Sequence, residues 1–163
     1  TFVARAGKLT ADRVPAGPGR WLRTAILLPL VLVLVEGLNT TPHPIVPLQP
    51  AAMRTVDGPL MVLPSDERSD MNYMLWSTTK FQQMVNGGSG FSPKRQQEIR
   101  EKSKTFPDQT SVSYLREIGV RTVVVLEDRV QDTPWKDAPN LPIDGLGITR
   151  EKIGDALVFH LNQ

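Results

Sequence analysis

The sequence predicts an α/β fold, a small sandwich around a short, mainly parallel sheet, preceded by one transmembrane helix. Three observations carry that expectation. Thr24 to Val35, "TAILLPLVLVLV", is a run of twelve residues without a charge. Leu60 to Leu63, "LMVL", and Arg121 to Leu126, "RTVVVL", are short apolar runs of the kind that form buried strands. A helical pattern ending in Gly119-Val120 leads straight into the second of these runs, the order expected of a βαβ crossover.

Residues 1–20 read as a cytoplasmic tail or loop. Arg5, Lys8, Arg13, Arg20 and Arg23 stand in the first 23 positions against the single acid Asp12. The chain begins at Thr1 rather than methionine, which reads as a segment of a longer protein.

Residues 21–38 read as the membrane span. Its eighteen residues cover about 27 Å as a helix, close to hydrocarbon thickness. Trp21 suits an interface, Arg23 can snorkel, and Pro29 is tolerated within a membrane helix. The run is apolar all round, unlike the usual amphipathic core helix. A cleaved signal peptide fits less well, because the preceding 23 residues are long and no small-x-small cleavage site follows. With the basic residues ahead of the span, the positive-inside rule puts everything after Leu38 outside the cell membrane.

Residues 39–50 hold "TPHPIVPLQP", four prolines in ten residues, and read as an extended strut. Residues 51–163 are the expected extracytoplasmic α/β domain. Its first strand is Leu60 to Leu63, bounded by Gly58-Pro59 and Pro64-Ser65. The stretch Met71 to Val85 fits neither a helix nor a strand cleanly, and both stay open. Ser92-Pro93 signals a helix start, and Lys94 to Lys104 continues as a polar surface helix with Ile99 its one strong apolar residue. Phe106-Pro107-Asp108 opens a second helix, in which Val112, Leu115 and Ile118 form one core-facing stripe and Gly119 suits the C-terminal cap. Glu127 to Gly147 reads as an irregular excursion, and Ala156 to Leu161 as a last strand after a Gly154-Asp155 turn.

Composition excludes several chemistries. The chain of 163 residues has no cysteine, so disulfides, thiolate metal sites and cysteine nucleophiles are ruled out. Its two histidines, His43 and His160, are too few for a histidine-based metal site without added carboxylates, and no metal or cofactor is expected. The net charge of +2 resides in the N-terminal tail, and the remainder carries 14 basic and 16 acidic residues, so nucleic acid is not an expected partner.

The most site-like segment is Val85 to Pro93, "VNGGSGFSP". It matches neither a Walker loop nor a dinucleotide fingerprint, since Lys94 follows Ser-Pro and the third glycine is misplaced. A lipase-type Gly-x-Ser-x-Gly elbow is also absent. The plain reading is a shaped loop whose glycines permit positive φ and close backbone approach. Beside it stands a sugar-contact reading, with Tyr73 and Trp76 as stacking rings and Asn86 and Ser89 as hydrogen-bonding groups. The neighbouring carboxylates Asp66 and Glu67, or Glu127 and Asp128, read as solvated loops, and no catalytic residue is assigned. Lys94, Arg95, Arg100, Lys102 and Lys104 read as a solvated helix face or, over a short strut, as a contact with anionic lipid headgroups.

The order "GPLMVLPSDE", "MLWSTTKFQQMVNGGSGFSP", "FPDQTSVSYLREIGVRTVVVL" and "GDALVFHL", after an apolar span and a proline-rich strut, resembles the C-terminal extracytoplasmic region of bacterial polytopic membrane proteins related to GT-C class glycosyltransferases. The resemblance covers about Trp21 to Leu161. It implies a parent protein that uses a polyprenyl-phosphate-linked sugar, with this segment a last membrane helix and an outer domain over the active site. The catalytic acid of such enzymes lies in an early outer loop that has no counterpart here, so no catalytic residue carries over. The alternative reading is a single-span membrane-anchored binding or structural domain of the cell envelope.

Overall fold

The computed structural model describes residues 19–38, 45–91 and 93–162. The chain divides into two units, residues 1–44 and 45–163.

In the first unit, helix α1 spans Gly19–Gly37 with Pro29 inside it. The expected membrane span falls on this helix, but its uncharged stretch is the twelve residues Thr24 to Val35, about 18 Å of helix against a hydrocarbon core of about 30 Å. Among the described residues no helix is long and apolar enough to cross a membrane. Most of the expected tail, and the strut residues 39–44, lie outside the described residues.

The second unit is a mixed α/β domain. In chain order it comprises α2 (Ala51–Thr55), β1 (Leu60–Leu63), α3 (Glu67–Ser77), α4 (Lys94–Ser103), α5 (Gln109–Glu117), β2 (Thr122–Leu126), β3 (Ile148–Ile153) and β4 (Ala156–Leu161). The four strands form one sheet in the order β1-β2-β4-β3. β1 pairs with β2 in parallel, Leu60 opposite Thr122, with α3, α4 and α5 in the connection.

The sheet is not mainly parallel as expected, because β4 runs antiparallel to both β2 and β3. The reason is β3, a strand without an apolar signature in the sequence. Its residues "ITREKI" have only their ends buried or half-buried, so the apolar pattern that announces a strand is missing. β3 turns through Gly154-Asp155 into β4, with Ile153 opposite Ala156, and such a short connection requires an antiparallel pair.

Strand alternation divides the core between the two faces of the sheet. Met61, Leu63, Val123, Val125, Leu157, Phe159 and Leu161 pack on one face with Ile99 of α4 and with Val112 and Leu115 of α5. Leu60, Val62, Val124, Leu126, Ala156 and Val158 pack on the other with Met53 of α2 and with Tyr73 and Trp76 of α3. The excursion after β2 is irregular but closed onto the first face: Val130, Trp135 and Ala138 are buried there, and Trp135 Nε1 donates to the Ser103 carbonyl at 2.6 Å.

Helix ends follow local chemistry. Asp66 caps α3 by accepting from the amides of Arg68 and Ser69. Asp108 caps α5 in a reciprocal box with Ser111. The Gly119 expected at the end of α5 takes φ +87°, a region that glycine enters without a Cβ penalty. α4 begins at Lys94 with Pro93 in the capping position and no side-chain cap, and the Ser92 expected to cap it lies outside the described residues. The folded unit also takes in the end of the strut, because the Pro47 carbonyl accepts from Trp76 Nε1 and Gln49 Nε2 donates to the Trp76 carbonyl, both at 3.0 Å.

Candidate functional site

β1 is an edge strand, and unpaired edges must be covered. The segment leading into "VNGGSGFSP" provides that cover. Leu60 N donates to the Gln83 carbonyl at 3.0 Å, and Val85 N donates to the Leu60 carbonyl at 2.9 Å. One step further along, a side chain replaces the backbone: Asn86 Oδ1 accepts from Val62 N at 2.6 Å while its Nδ2 donates to the Val62 carbonyl at 2.8 Å.

The same Nδ2 reaches Asp70 Oδ1 at 2.8 Å and brings the loop onto the inner face of α3. Asp70 is fully buried. Ser65 Oγ donates to its carboxylate at 3.0 Å, and Arg100 Nη2 of α4 completes the cluster at 2.8 Å from Oδ2 and 2.9 Å from the Gly87 carbonyl. Burial, the largest influence, raises the Asp70 carboxyl above its ordinary value against the hydrogen bonds from Arg100, Asn86 and Ser65. Chemically the cluster is a fully partnered clamp joining β1, α3, the glycine loop and α4.

The glycines act mainly through one close approach. A Cβ on Gly88 would stand 2.8 Å from the Glu67 carbonyl oxygen, whereas one on Gly90 would meet nothing within 4 Å. None of the three has positive φ, so the left-handed backbone expected of this loop is not what they provide.

The four residues expected to hold a sugar are not brought into one open site. Tyr73 is fully buried, and its hydroxyl, pushed well up by that burial, donates to the Pro64 carbonyl at 2.9 Å. Trp76 is buried beside it, ring centroids 5.5 Å apart, with the Arg129 guanidinium 5.1 Å from the indole. Asn86 is held in the clamp, and Ser89 is exposed with its Oγ donating to the Phe91 carbonyl at 2.6 Å. Beside Ser89 lies an open cavity of about 190 Å³ lined by Met74, Gly87, Gly88, Pro93 and Gln96. The Gln96 Nε2 is buried and has no hydrogen-bond partner.

A larger open cavity of about 400 Å³ lies by the start of β2, lined by Thr55, Asp57, Arg121, Thr122, Glu151 and His160 among others. His160 Nε2 and Glu151 Oε1 are 3.0 Å apart. They sit on β4 and β3 two residues off direct register, since His160 faces Thr149. The imidazole and the carboxylate stand within hydrogen-bond distance, and Arg121 adds a cationic donor to the lining. The pairing of His160 with Glu151 has no apolar signal in the sequence, because Glu151 comes from the charged strand β3. The Gly154-Asp155 turn was the available signal, since folding a hairpin there sets residue 151 near residue 160. Among the described residues no group of three or more metal-ligating side chains comes together.

Comparison with known protein families, with characterised proteins and with solved structures finds no match.

Proposed function

We propose that this chain is a membrane helix and outer accessory domain of a glycosyltransferase-like envelope protein, with transfer from a lipid-linked sugar performed elsewhere in the full-length protein. The observation that supports it most is the surface of α1. Leu28, Leu30, Val31, Leu32, Val33, Leu34 and Val35 are each more than half exposed. Consecutive helical residues point in directions about 100° apart, so this apolar surface has no polar side to turn toward water. A bilayer satisfies it on all sides. The uncharged stretch is short, and it is flanked by Arg20 and Arg23 on one side and Glu36 on the other, residue types that headgroups accept. The excess of cations ahead of α1 favours the folded domain on the outer side.

The link to sugar transfer rests on the order of segments described above. Deleting residues 51–162 from the full-length protein tests it. Transfer from a polyprenyl-phosphate donor is expected to fall sharply while α1 stays in the membrane fraction, and undiminished transfer would contradict the reading.

A second reading keeps the anchor and makes the outer domain a non-enzymatic binding module. The larger cavity favours it, since Asp57, Arg121 and the His160–Glu151 pair offer charges of both signs to a small polar ligand. Undiminished transfer by the deleted form would favour this alternative.

A further inference from the structure

Helix α3 is turned the unusual way round. Its buried face carries Asp70, Tyr73 and Trp76, while Met71, Met74 and Leu75 are 50%, 41% and 52% exposed. At 100° per residue these three fall on one side of the helix with Glu67 and Thr78, so the outward face begins with a carboxylate and is apolar from Met71 to Leu75. Its surroundings extend that surface. The glycine loop lies against it, with Gly88 N 3.2 Å from Met74 Sδ, and ends in Phe91, 75% exposed. At the C-terminal end of α3 the strut is held through Pro47 and Gln49, and Leu48 between them is 89% exposed. Phe81, in the turn after α3, is 85% exposed. An apolar surface gathered around one helix marks a contact rather than scattered exposure.

We infer that this face of the domain lies in the headgroup–acyl boundary of a bilayer containing anionic lipid. The inference rests on the membrane reading of α1 and goes beyond it by naming the surface that the folded domain turns to the lipid. Two observations point to lipid. The chain enters the domain at Ile45 to Gln49, and only seven residues (38–44) join it to α1, a connection that spans at most roughly 25 Å when fully extended. A connection of that length keeps the domain near a bilayer that holds α1. Lys94 and Arg95 open α4 directly after Phe91 and Pro93, so cations border the Phe91 end of the apolar face as in interfacial helices, while at the start of α3 Arg68 stands beside the acids Asp66 and Glu67. Methionine and leucine side chains adapt to a disordered acyl boundary without needing a matched partner surface.

The absence of cysteine lets single spin labels report depth without removing any native residue. The full chain, carrying Leu34→Cys, Leu75→Cys, Phe91→Cys or Asp144→Cys, would be reconstituted in phosphatidylcholine–phosphatidylglycerol vesicles. Collision rates with oxygen and with a water-soluble nickel chelate would then be compared. Leu75 and Phe91 are already exposed, so labels there leave the core intact. The inference expects an oxygen-to-nickel ratio several-fold higher at Leu75 and Phe91 than at Asp144, with Leu34 higher still. A lipid-buried Leu34 with water-like values at Leu75 and Phe91 would overturn the inference and leave the anchor standing. A water-like Leu34 would overturn the membrane reading itself. Spin–spin broadening between copies at Leu75 would show a second copy on this face and also overturn the inference.

Discussion

The side chain of Asn86 pairs with the backbone of Val62 as a neighbouring strand would, accepting at 2.6 Å and donating at 2.8 Å. The amide group thereby closes a strand edge and, through Asp70, fastens the glycine loop to α3. Asn86→Ala removes three buried hydrogen bonds and leaves the Val62 groups unpartnered, which costs about 2–4 kcal/mol on the usual scale for orphaned buried groups. Thermal unfolding of the full chain followed by circular dichroism measures this. Asn86→Asp is expected to be no better, because it sets a second carboxylate beside Asp70.

The Asp70–Arg100 pair gives a separate prediction. Arg100→Ala leaves a buried carboxylate with its charge uncompensated, expected to cost about 3–5 kcal/mol. The pH dependence follows from the sign of the shift. Since Asp70 is raised above its ordinary value of 3.8, ionised Asp70 is disfavoured in the folded state. The contribution is most favourable below 3.8 and is lost as pH rises through the folded value. The Arg100→Ala variant should therefore recover stability relative to the native chain as pH falls from 7 toward 4. Urea midpoints across that range check it.

Asp108 shows the opposite sign. Burial works to raise it, but the hydroxyl and amide of Ser111 outweigh that and hold it below 3.8. Its stabilisation is present above 3.8 and is lost as pH falls through the lower folded value. Asp108→Ala is expected to cost about 1 kcal/mol at neutral pH, as for other N-caps. The difference from the native chain should shrink as pH falls below 3.8, as denaturant titrations at pH 7 and in acid would show.

Gly88 and Gly90 form an internal control. Gly88→Ala drives a methyl against the Glu67 carbonyl and should cost about 1–3 kcal/mol. Gly90→Ala meets nothing and should stay within about 0.5 kcal/mol of the native chain. Equal effects at the two positions would contradict the packing role assigned to Gly88.

Strands β1, β2 and β4 were legible because each is a predominantly apolar and mostly buried run, and α5 because its apolar residues share one stripe. β3 was not legible, since a charged edge strand carries no apolar alternation. α3 stayed ambiguous for a related reason: it buries Asp70 and exposes Met71, Met74 and Leu75, which inverts the pattern that periodicity detects. The site was legible only in part. Asn86 stood out in the glycine-rich stretch, but its partners Val62 and Asp70 are 24 and 16 positions away, Arg100 reaches Asp70 across 30 positions, and only the fold brings them together. Tyr73 and Trp76 looked like ligand platforms for the same reason that they suit a core, as large rings with a polar end.

The claim that α1 is seated in a membrane with the folded domain outside is tested most directly by labelling single cysteines in intact cells. A membrane-impermeant maleimide would be applied to cells expressing the full chain with either Lys8→Cys or Asp144→Cys. The account predicts that Asp144→Cys is labelled in intact cells and Lys8→Cys only after permeabilisation. Labelling of Asp144→Cys only after permeabilisation would contradict it.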